Sequence, residues 1–437
     1  MRITNSMVMN QYAKQLNHNV EQVSDDTQKL SSGQKYSRAS QDPVEAAQMV
    51  EINGQLKTVN RYQSNIQSAQ SWMTETETVV NTDYYGILTK ANVTLNTASS
   101  SGTSSTTSNA ALAQNLQGYQ TDMLSALNSI SGGQYVLGGS STGNPPFKVG
   151  TESDYTAYAN YVTAYGTAYN TAYQAAYTAD PTITDTAAQA KAATAAAADA
   201  DVKTAQSSLT VAPVFTVSTS EASGTHTATV TASLSEDDIN GKLLYQAPTT
   251  GAYIPMSKIN NSAQTAATTV NDLAYYSTEN SAMTRTSPID LGYGTQMSGG
   301  KVVAGTAFEA STNPLDFLLQ NVTTSGSQNV YDAFGETANA LSQNDTSSVS
   351  ATFSLNTDAM TKTTLVNTAL GAKQNMLTFL SNKYSADTIN ITQQLSNVED
   401  VDTTTAYTQY SLHLMAYQAS LSISSSILQN NLTQYLK

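Results

Sequence analysis

The sequence predicts a mainly α-helical protein: an elongated bundle or coiled-coil stem of long helices built from both chain ends, with an inserted α+β outer domain. Three observations lead to this fold class. Apolar residues recur every seven positions near both ends, strand-like alternation occurs only in the middle, and no charged residue follows Asp402 until Lys437. A sustained seven-residue repeat keeps a narrow apolar stripe on one side of a helix, and a partner helix has to cover that stripe.

Length, charge and composition limit the functions open to the chain. Its 437 residues suffice for roughly two to four compact units, and its net charge of −14 argues against binding to a nucleic-acid backbone. The absence of cysteine excludes disulfides, zinc–thiolate sites and thiol nucleophiles. We expect no cleaved signal peptide, because residues 1–15 lack its basic and apolar regions, and no membrane span.

Two helices are predicted at the amino end. The first ends at the turn sequence Ser31-Ser32-Gly33, and its seam is Met9, Ala13, Leu16, Val20, Val23, Thr27 and Leu30. After an irregular link at 34–42, Asp42 is a candidate N-cap and Pro43 fits the first turn of a long helix that runs to about Leu95. The apolar stripe of this helix, the first half of the predicted stem core, is Ile52, Val59, Ile66, Met73, Val80 and Ile87.

A further helix is predicted after a Ser/Thr/Gly loop at 99–108 and stops at Gly132-Gly133. Its apolar side is Leu112, Leu116, Met123, Leu127 and Ile130. A short extended piece follows at 134–139.

The middle of the chain begins with a tyrosine-faced helix. The tyrosines step by three or four and are Tyr155, Tyr158, Tyr161, Tyr165, Tyr169, Tyr173 and Tyr177. Asp180-Pro181 ends this helix, and an Ala-rich stretch from 184 to about 207 predicts a returning helix. We interpret the stripe as packing; a sugar-binding or adhesive face is the alternative.

A small, mainly β unit is predicted from 208 to about 321. Alternation at 225–234 predicts a half-buried strand with His226 on its buried face, paired with a strand at 209–217. Gly299-Gly300 predicts a second hairpin, with Val302 and Val303 in its second strand.

Helical patterns return at the carboxyl end. A short helix is predicted from 330 to 341, and a long one from about Ala359 to Val398 is the natural partner of the 52–87 stripe. Its stripe, the second half of the predicted stem core, is Leu370, Leu377, Tyr384 and Ile391. The terminal run is apolar along one side but uncharged, and a lone solvated helix normally has a charged face. We therefore expect it to be buried on several sides in its working state.

The two ends mirror each other, so we expect them to pair and to leave the middle as an insertion. The predicted domains are a terminal polymerisation domain (1–37 with 399–437), a long-helix bundle (38–147 with 326–398) and the inserted outer domain (148–325). The candidate assembly interface is Leu16, Val20, Val23, Leu30, Leu414, Tyr417, Leu421 and Leu428. Terminal helices with more apolar surface than one molecule can cover are typical of a polymer subunit.

Motifs at both ends resemble the bacterial flagellin family. At the amino end they are Arg2-Ile3-Thr4-Asn5, Leu30-Ser31-Ser32-Gly33-Gln34-Lys35 and Ala39-Ser40-Gln41-Asp42-Pro43-Val44-Glu45-Ala46-Ala47. At the carboxyl end they are 395–410 and 414–420. Within the family, Asp42-Pro43 with its following small residues and the segment 133–139 are similar to hook-associated members at the hook–filament junction. Gln41 and Gln134 depart from the acidic and basic residues usual there.

This resemblance, which covers roughly 1–147 and 326–437, implies a function as well as a fold. It implies concentric domains with the terminal helices forming an inner tube, export through the flagellar type III channel, and an extracellular place between the hook side and the first flagellin subunits. The implied partners are further copies of the chain in a ring, flagellin, a hook-associated protein on the hook side and an export chaperone.

Two alternatives stay open from the sequence. One is a flagellin that forms the filament itself, and the other is a surface-binding module in 148–325 that engages glycans through its tyrosines. We predict no catalytic, cofactor or metal site. His18, His226 and His413 lack metal-ligand spacing, and the acids of 235–238 and 399–402 are explained as a helix cap and a helix joint.

Overall fold

The computed structural model describes residues 5–36, 38–100, 106–138, 143–222, 224–247, 251–259, 288–292, 297–298, 301–302, 307–323 and 326–435. The chain divides into two compact units: unit 1 is Met1–Ile66 with Phe379–Lys437, and unit 2 is Gln67–Thr378. The three domains predicted from the sequence stay a prediction.

Unit 1 is built from both chain ends. It contains α1 (Asn5–Ser32), the first part of α2 (Pro43–Glu77), the last part of α11 (Val349–Glu399) and α12 (Thr403–Tyr435). Helices α1 and α12 pack against each other, as predicted from the mirrored ends.

Three capping residues fix helix ends in unit 1. Helix α1 ends because Gly33 adopts a left-handed conformation with φ of 74°, which favours glycine. Helix α2 begins at the predicted N-cap, where Asp42 Oδ1 accepts hydrogen bonds from the backbone N–H of Val44 (3.0 Å) and Glu45 (3.1 Å). Helix α12 also begins with an aspartate N-cap, because Asp402 Oδ1 accepts a hydrogen bond from Thr404 N at 2.9 Å.

The predicted joint before α12 is confirmed and is paired with the turn after α1. Lys35 N donates to Glu399 O at 2.8 Å, and Val401 N donates to Gly33 O at 2.9 Å. The Gln34 side chain also donates to the Glu399 carboxylate. The acids at 399–402 therefore cap and join helices.

The helical part of unit 2 contains the rest of the two long helices. After α2 the chain forms a π-helical segment at Thr78–Tyr84, then α3 (Tyr85–Ser100) and α4 (Thr106–Leu127). The later elements are α10 (Val330–Ser342) and α11. The uninterrupted helix predicted up to Leu95 is therefore corrected, because seven residues widen to the π pattern and the helix runs on to Ser100. Helix α11 begins at Val349, ten residues before the predicted start.

Polar side chains link the two long helices inside unit 2. Asn356 Nδ2 donates to Leu88 O at 3.0 Å, and Gln374 Nε2 donates to Glu77 Oε2 at 2.8 Å. The Gln374–Glu77 contact agrees with the predicted partnership between the 52–87 stripe and the helix that follows 359, and the Asn356–Leu88 contact lies just outside both predicted ranges.

The tyrosine stripe lies on α5 (Glu152–Ala179) and serves as packing, as predicted. Five of its seven tyrosines are buried, from Tyr158 to Tyr173, while Tyr155 and Tyr177 are half-buried. The returning helix is corrected to two helices, α6 (Asp185–Ala198) and α7 (Ala200–Ser207). They are separated because the Asp199 side chain accepts from the N–H groups of Asp201 and Val202 and so starts a new helix.

In addition to α6 and α7, a β-hairpin packs against α5. Strands β4 (Phe215–Ala222) and β5 (Thr225–Ala232) pair antiparallel, and β5 packs on α5. Tyr177 stacks on His226 with ring centroids 3.5 Å apart, so His226 is half-buried against a ring. The predicted strand at 209–217 is wrong in its first half, because Val211 instead bridges Tyr253 in parallel.

The remaining strands are short. They are β1 (Ile130–Ser131) with β2 (Gln134–Tyr135), β3 (Phe147–Val149) with β6 (Leu243–Gln246) and β7 (Tyr253–Pro255), β8 (Pro288–Ile289) with β11 (Phe308–Glu309), β9 (Met297–Ser298) with β10 (Lys301–Val302), and β12 (Leu319–Thr323) with β13 (Gly326–Asn329). The hairpin predicted around Gly299-Gly300 is confirmed by the β9–β10 pair, although those glycines and Val303 lie outside the described residues. Two one-turn helices, α8 (Glu236–Ile239) and α9 (Leu315–Leu318), complete the fold.

The helices carry few charges and many threonines. In every long helix, threonine hydroxyls donate to the backbone carbonyl four residues earlier, as Thr27 does to Val23 O and Thr171 to Thr167 O. Further examples are Thr58, Thr74, Thr89, Thr163, Thr167, Thr357, Thr361, Thr364, Thr378 and Thr408. None of the helices that the structure describes is both long and apolar enough to cross a membrane.

Candidate assembly surface on the terminal helices

Buried and half-buried residues of α1 and α12 form a seam with a four-three spacing. On α1 they are Tyr12, Leu16, Asn19, Val23, Asp26 and Leu30, and on α12 they are Ala406, Tyr410, His413, Tyr417, Ser420 and Ser424. This is the repeat of a coiled coil. Several of these positions are polar, which the search for apolar residues in the sequence did not reveal.

Polar contacts connect the two helices along this seam. Asn19 Nδ2 donates to Ser420 Oγ at 2.7 Å, and His413 Nδ1 lies 2.6 Å from Asp26 Oδ2. The Asp26 carboxylate is 5% exposed and also lies 4.0 Å from Lys29 Nζ. Polar groups at seam positions fix the register between two helices at a cost in stability.

The predicted interface residues divide between the seam and the outer surface. Leu16, Val23 and Leu30 of α1 and Tyr417 of α12 lie on the seam, and Leu414 is half-exposed beside it. Val20 and Leu421 are exposed to solvent, with 45% and 42% of their surface accessible. The side chain of Leu428 lies outside the described residues.

The outer side of α12 is apolar and uncharged. Leu412 and Met415 are both 57% exposed and Ile423 is 50% exposed, with the exposed Ala416 and Ala419 between them. On a helix with 3.6 residues per turn these five positions share one side, which is centred about 120° around the helix from the seam with α1.

The predicted stem-core residues differ in burial along the helices. Ile66, Met73, Val80, Ile87, Leu370, Leu377 and Tyr384 are buried. Ile52, Val59 and Ile391 are half-exposed, and all three lie in unit 1. In that unit Tyr62 and Tyr384 approach with ring centroids 5.6 Å apart.

The remaining polar clusters have structural roles. Among the residues that the structure describes, no group of three or more His, Asp or Glu is arranged to hold a metal ion. Ser235 and Asp238 form the predicted capping box at the start of α8, with Ser235 N donating to Asp238 Oδ2 at 2.9 Å.

Comparison with protein families matches both ends of the chain. Residues 3–142 match the bacterial flagellin N-terminal helical region, and residues 354–436 match the bacterial flagellin C-terminal helical region. Together the two matches cover slightly more than half of the chain. The chain belongs to the bacterial flagellin family. It is accordingly a structural subunit of the flagellum, and the family is structural and not enzymatic.

Comparison with solved structures matches a chain described as a flagellar hook-associated protein of Vibrio parahaemolyticus. That match has a TM-score of 0.45 and 10% sequence identity, and it covers 82% of this flagellin-family chain and 100% of the other. A search of curated proteins gave no match. The family assignment rests on the two terminal regions.

Proposed function

We propose that this flagellin-family subunit is an adapter at the hook–filament junction and that it assembles by packing α1 and α12 against those of neighbouring copies. The observation that supports assembly is the small core of unit 1. Of the unit 1 residues whose burial is described, only Asp26, Ile66, Leu380, Tyr384 and Ala406 are buried. Such a core buries little apolar surface, so further burial has to come from other subunits.

The exposed apolar residues of the terminal helices provide that further surface. Val20 on α1 and the Leu412–Met415–Ile423 side of α12 are open to solvent in the single chain. At about 25 cal/mol per Å² of apolar area removed from water, covering these residues favours association of many copies. The helices stay paired in the single chain through the polar seam, and the apolar outer side remains for neighbours.

The junction position is supported by sequence motifs in the stem. Asp42-Pro43, which caps and begins α2, and the segment 133–139 after α4 are similar to hook-associated members of the family. The partners of such an adapter are further copies in a ring, flagellin on one side and a hook-associated protein on the other. Before export without a cleaved signal peptide, a chaperone would cover the terminal helices. In this role the chain acts without catalysis.

The deciding experiment is to label the protein on intact flagella and to locate the label by electron microscopy. We expect one narrow band at the boundary between hook and filament. Label along the whole filament would instead identify a filament-forming flagellin and refute the junction role.

A further inference from the structure

A groove lies where the link before α2 folds against the first turns of that helix. It has a volume of about 630 Å³ and lies entirely in unit 1. Its walls include Tyr36, Ala46 and Met49, together with Val50, which is 73% exposed. A valine exposed to this degree beside an apolar concavity leaves room for another side chain to pack.

Gly54 lines the groove and has no explanation within its own chain. It lies inside α2, where glycine is less favourable than alanine, and a Cβ added there would meet nothing within 4 Å. Two other helical glycines are explained by close neighbours: an added Cβ would lie 3.2 Å from Val230 Cβ at Gly166 and 2.7 Å from Gln120 Nε2 at Gly335. Gly86, Gly118 and Gly371 meet open space as Gly54 does, so Gly54 supports a contact because it also lines this groove. A backbone or side chain of another molecule that approaches Gly54 closely would explain it in the same way.

The rim of the groove is positively charged. Arg38 and Lys57 line it, both are exposed, and neither forms an ion pair with a residue in the described part of the chain. The chain as a whole has a net charge of −14. A basic, partly apolar groove on an acidic subunit is complementary to an acidic, partly apolar segment of a second copy.

Of the two terminal helices, only α1 offers such a segment. Helix α12 contains no acidic residue between Thr403 and Tyr435. On α1, Glu21 is exposed and adjoins Val20, which is 45% exposed and outside the seam with α12. Ser24, exposed and one turn further along, continues the same side of the helix.

We propose that the groove receives the outward side of α1 from a second copy of the chain, with Val20 packed against Met49 and Val50 close to Gly54, and Glu21 paired with Lys57 and Arg38. This inference rests on the proposed side-by-side assembly and names the surfaces that meet. The contact is heterologous, because each copy contributes a groove on one side and α1 on the other, and such contacts generate rings or helical arrays.

The natural absence of cysteine makes this contact testable by cross-linking on intact flagella. We would build Val50→Cys and Ser24→Cys, singly and together, and treat flagella with a short bis-maleimide. The double variant should give a ladder of multimers of this chain, while each single variant should stay monomeric. A double variant that stays monomeric, or that links only to other proteins, while its label still forms a narrow band at the junction would overturn the groove assignment and leave the proposed function intact. Label spread along the filament, together with a ladder, would refute the junction role and support the groove.

Charge reversal tests the ionic part of the contact. Lys57→Glu and Glu21→Lys should each lower the amount of protein on flagella by about threefold or more, and the double reversal should recover most of it. Lys191→Glu, an exposed lysine on α6, is the matched control and should have no effect. Failure of the double reversal to recover more than either single change would contradict the pairing.

A substitution at Gly54 tests assembly separately from the stability of the free protein. Gly54→Leu should keep or raise the melting temperature of the free protein, because leucine is the better helix former and its Cβ meets open space, yet it should remove the cross-linked ladder. Gly118→Leu, an exposed helical glycine with the same open space, should leave the ladder intact. A ladder unaffected by Gly54→Leu would overturn the proposal.

Discussion

At the scale of single residues, one tyrosine of the α5 stripe differs from the rest. The Tyr158 hydroxyl donates to Val214 O and accepts from Ser233 N at 3.0 Å and Leu234 N at 3.1 Å, in a fully buried position. Burial raises the pKa of this hydroxyl, so it remains a hydrogen-bond donor. Tyr158 thus connects α5 to the backbone just before β4 and just after β5.

We predict that Tyr158→Phe destabilises unit 2 by about 1–3 kcal/mol, since the buried backbone N–H of Leu234 loses its acceptor, while Ser233 N and Val214 O keep their bond to each other. The matched control is Tyr161→Phe: Tyr161 is 8% exposed, and no hydrogen bond of its hydroxyl occurs within the described part of the chain. Loss of the Tyr161 hydroxyl should lower the free energy of unfolding by less than about 0.5 kcal/mol. Urea unfolding followed by circular dichroism measures both, and equal losses would contradict the role of the Tyr158 hydroxyl.

Asp154 gives a prediction for the effect of pH. Burial alone would raise the pKa of its carboxyl, but hydrogen bonds from Lys148, Thr210 and Thr151 outweigh burial and lower the pKa from 3.8 to about 2. Because the folded pKa lies below the ordinary value, the stabilisation is complete above about pH 4 and is lost as the pH falls toward 2.

Asp154→Asn should therefore lower the free energy of unfolding by about 1 kcal/mol at pH 7, after allowance for solvent screening. The gap to the parent protein should shrink between pH 4 and pH 2. Unfolding curves at pH 7, 4 and 3 test this, and a gap that does not change with pH would show that the carboxylate charge is not the cause.

At the scale of secondary-structure elements, the α1–α12 pair is held by polar groups, while much of its apolar surface faces outward. A buried charge that loses its partner is costly, whereas replacing both partners by apolar groups is often neutral or stabilising. The Asp26–His413 contact allows these two cases to be compared directly.

We predict that His413→Ala weakens the pair by about 1–2 kcal/mol, because Asp26 remains buried and His413 is itself partly exposed. The double change Asp26→Leu with His413→Leu should recover that stability. Hydrogen exchange of α12 measured by mass spectrometry tests this, with faster exchange expected in the single variant and near-parent exchange in the double one. Slow exchange in His413→Ala would indicate that apolar contacts alone hold the pair.

The elements also show what the sequence could and could not predict. The seven-residue stripes identified the long helices, because residues such as Met73 and Leu377 have to be buried together. The π-helical segment was missed, since a change from i+4 to i+5 hydrogen bonding leaves no mark in composition. The polar seam did leave a signal: Asn19, Asp26, His413 and Ser420 continue the four-three spacing, which a search restricted to apolar residues overlooks. The groove at Gly54 depends on how a loop folds back, which no periodicity encodes.

At the scale of the whole molecule, buried side chains are concentrated in unit 2. Unit 1 has five among the residues whose burial is described, yet it contains the outer parts of both family regions and the exposed apolar side of α12. This distribution of buried residues is the basis of the proposed assembly, in which neighbouring subunits cover the surface that unit 1 leaves exposed.

We predict that Leu421→Asp abolishes incorporation into flagella while the free protein stays folded. Leu421 is 42% exposed, so the change should cost the single chain less than about 0.5 kcal/mol, whereas burying a carboxylate between subunits costs several kcal/mol. Immunoblots of sheared flagella and circular dichroism of the free protein are the two measurements. Leu421→Met, which keeps an apolar side chain, is the control, and equal incorporation of the Asp variant would exclude Leu421 from the interface.

The threonines along the helices have a consequence for the medium in which the subunit works. Neutral hydroxyls, such as those of Thr163 and Thr167, make these helix surfaces polar, while each hydroxyl stays bonded to a backbone carbonyl of the same helix. Dissolved ions weaken attractions between exposed charges but have little effect on a surface wetted by hydroxyls. These helices are therefore suited to fresh water and to brine alike, whereas the proposed ionic contact of Glu21 with Lys57 and Arg38 should weaken as the salt concentration rises.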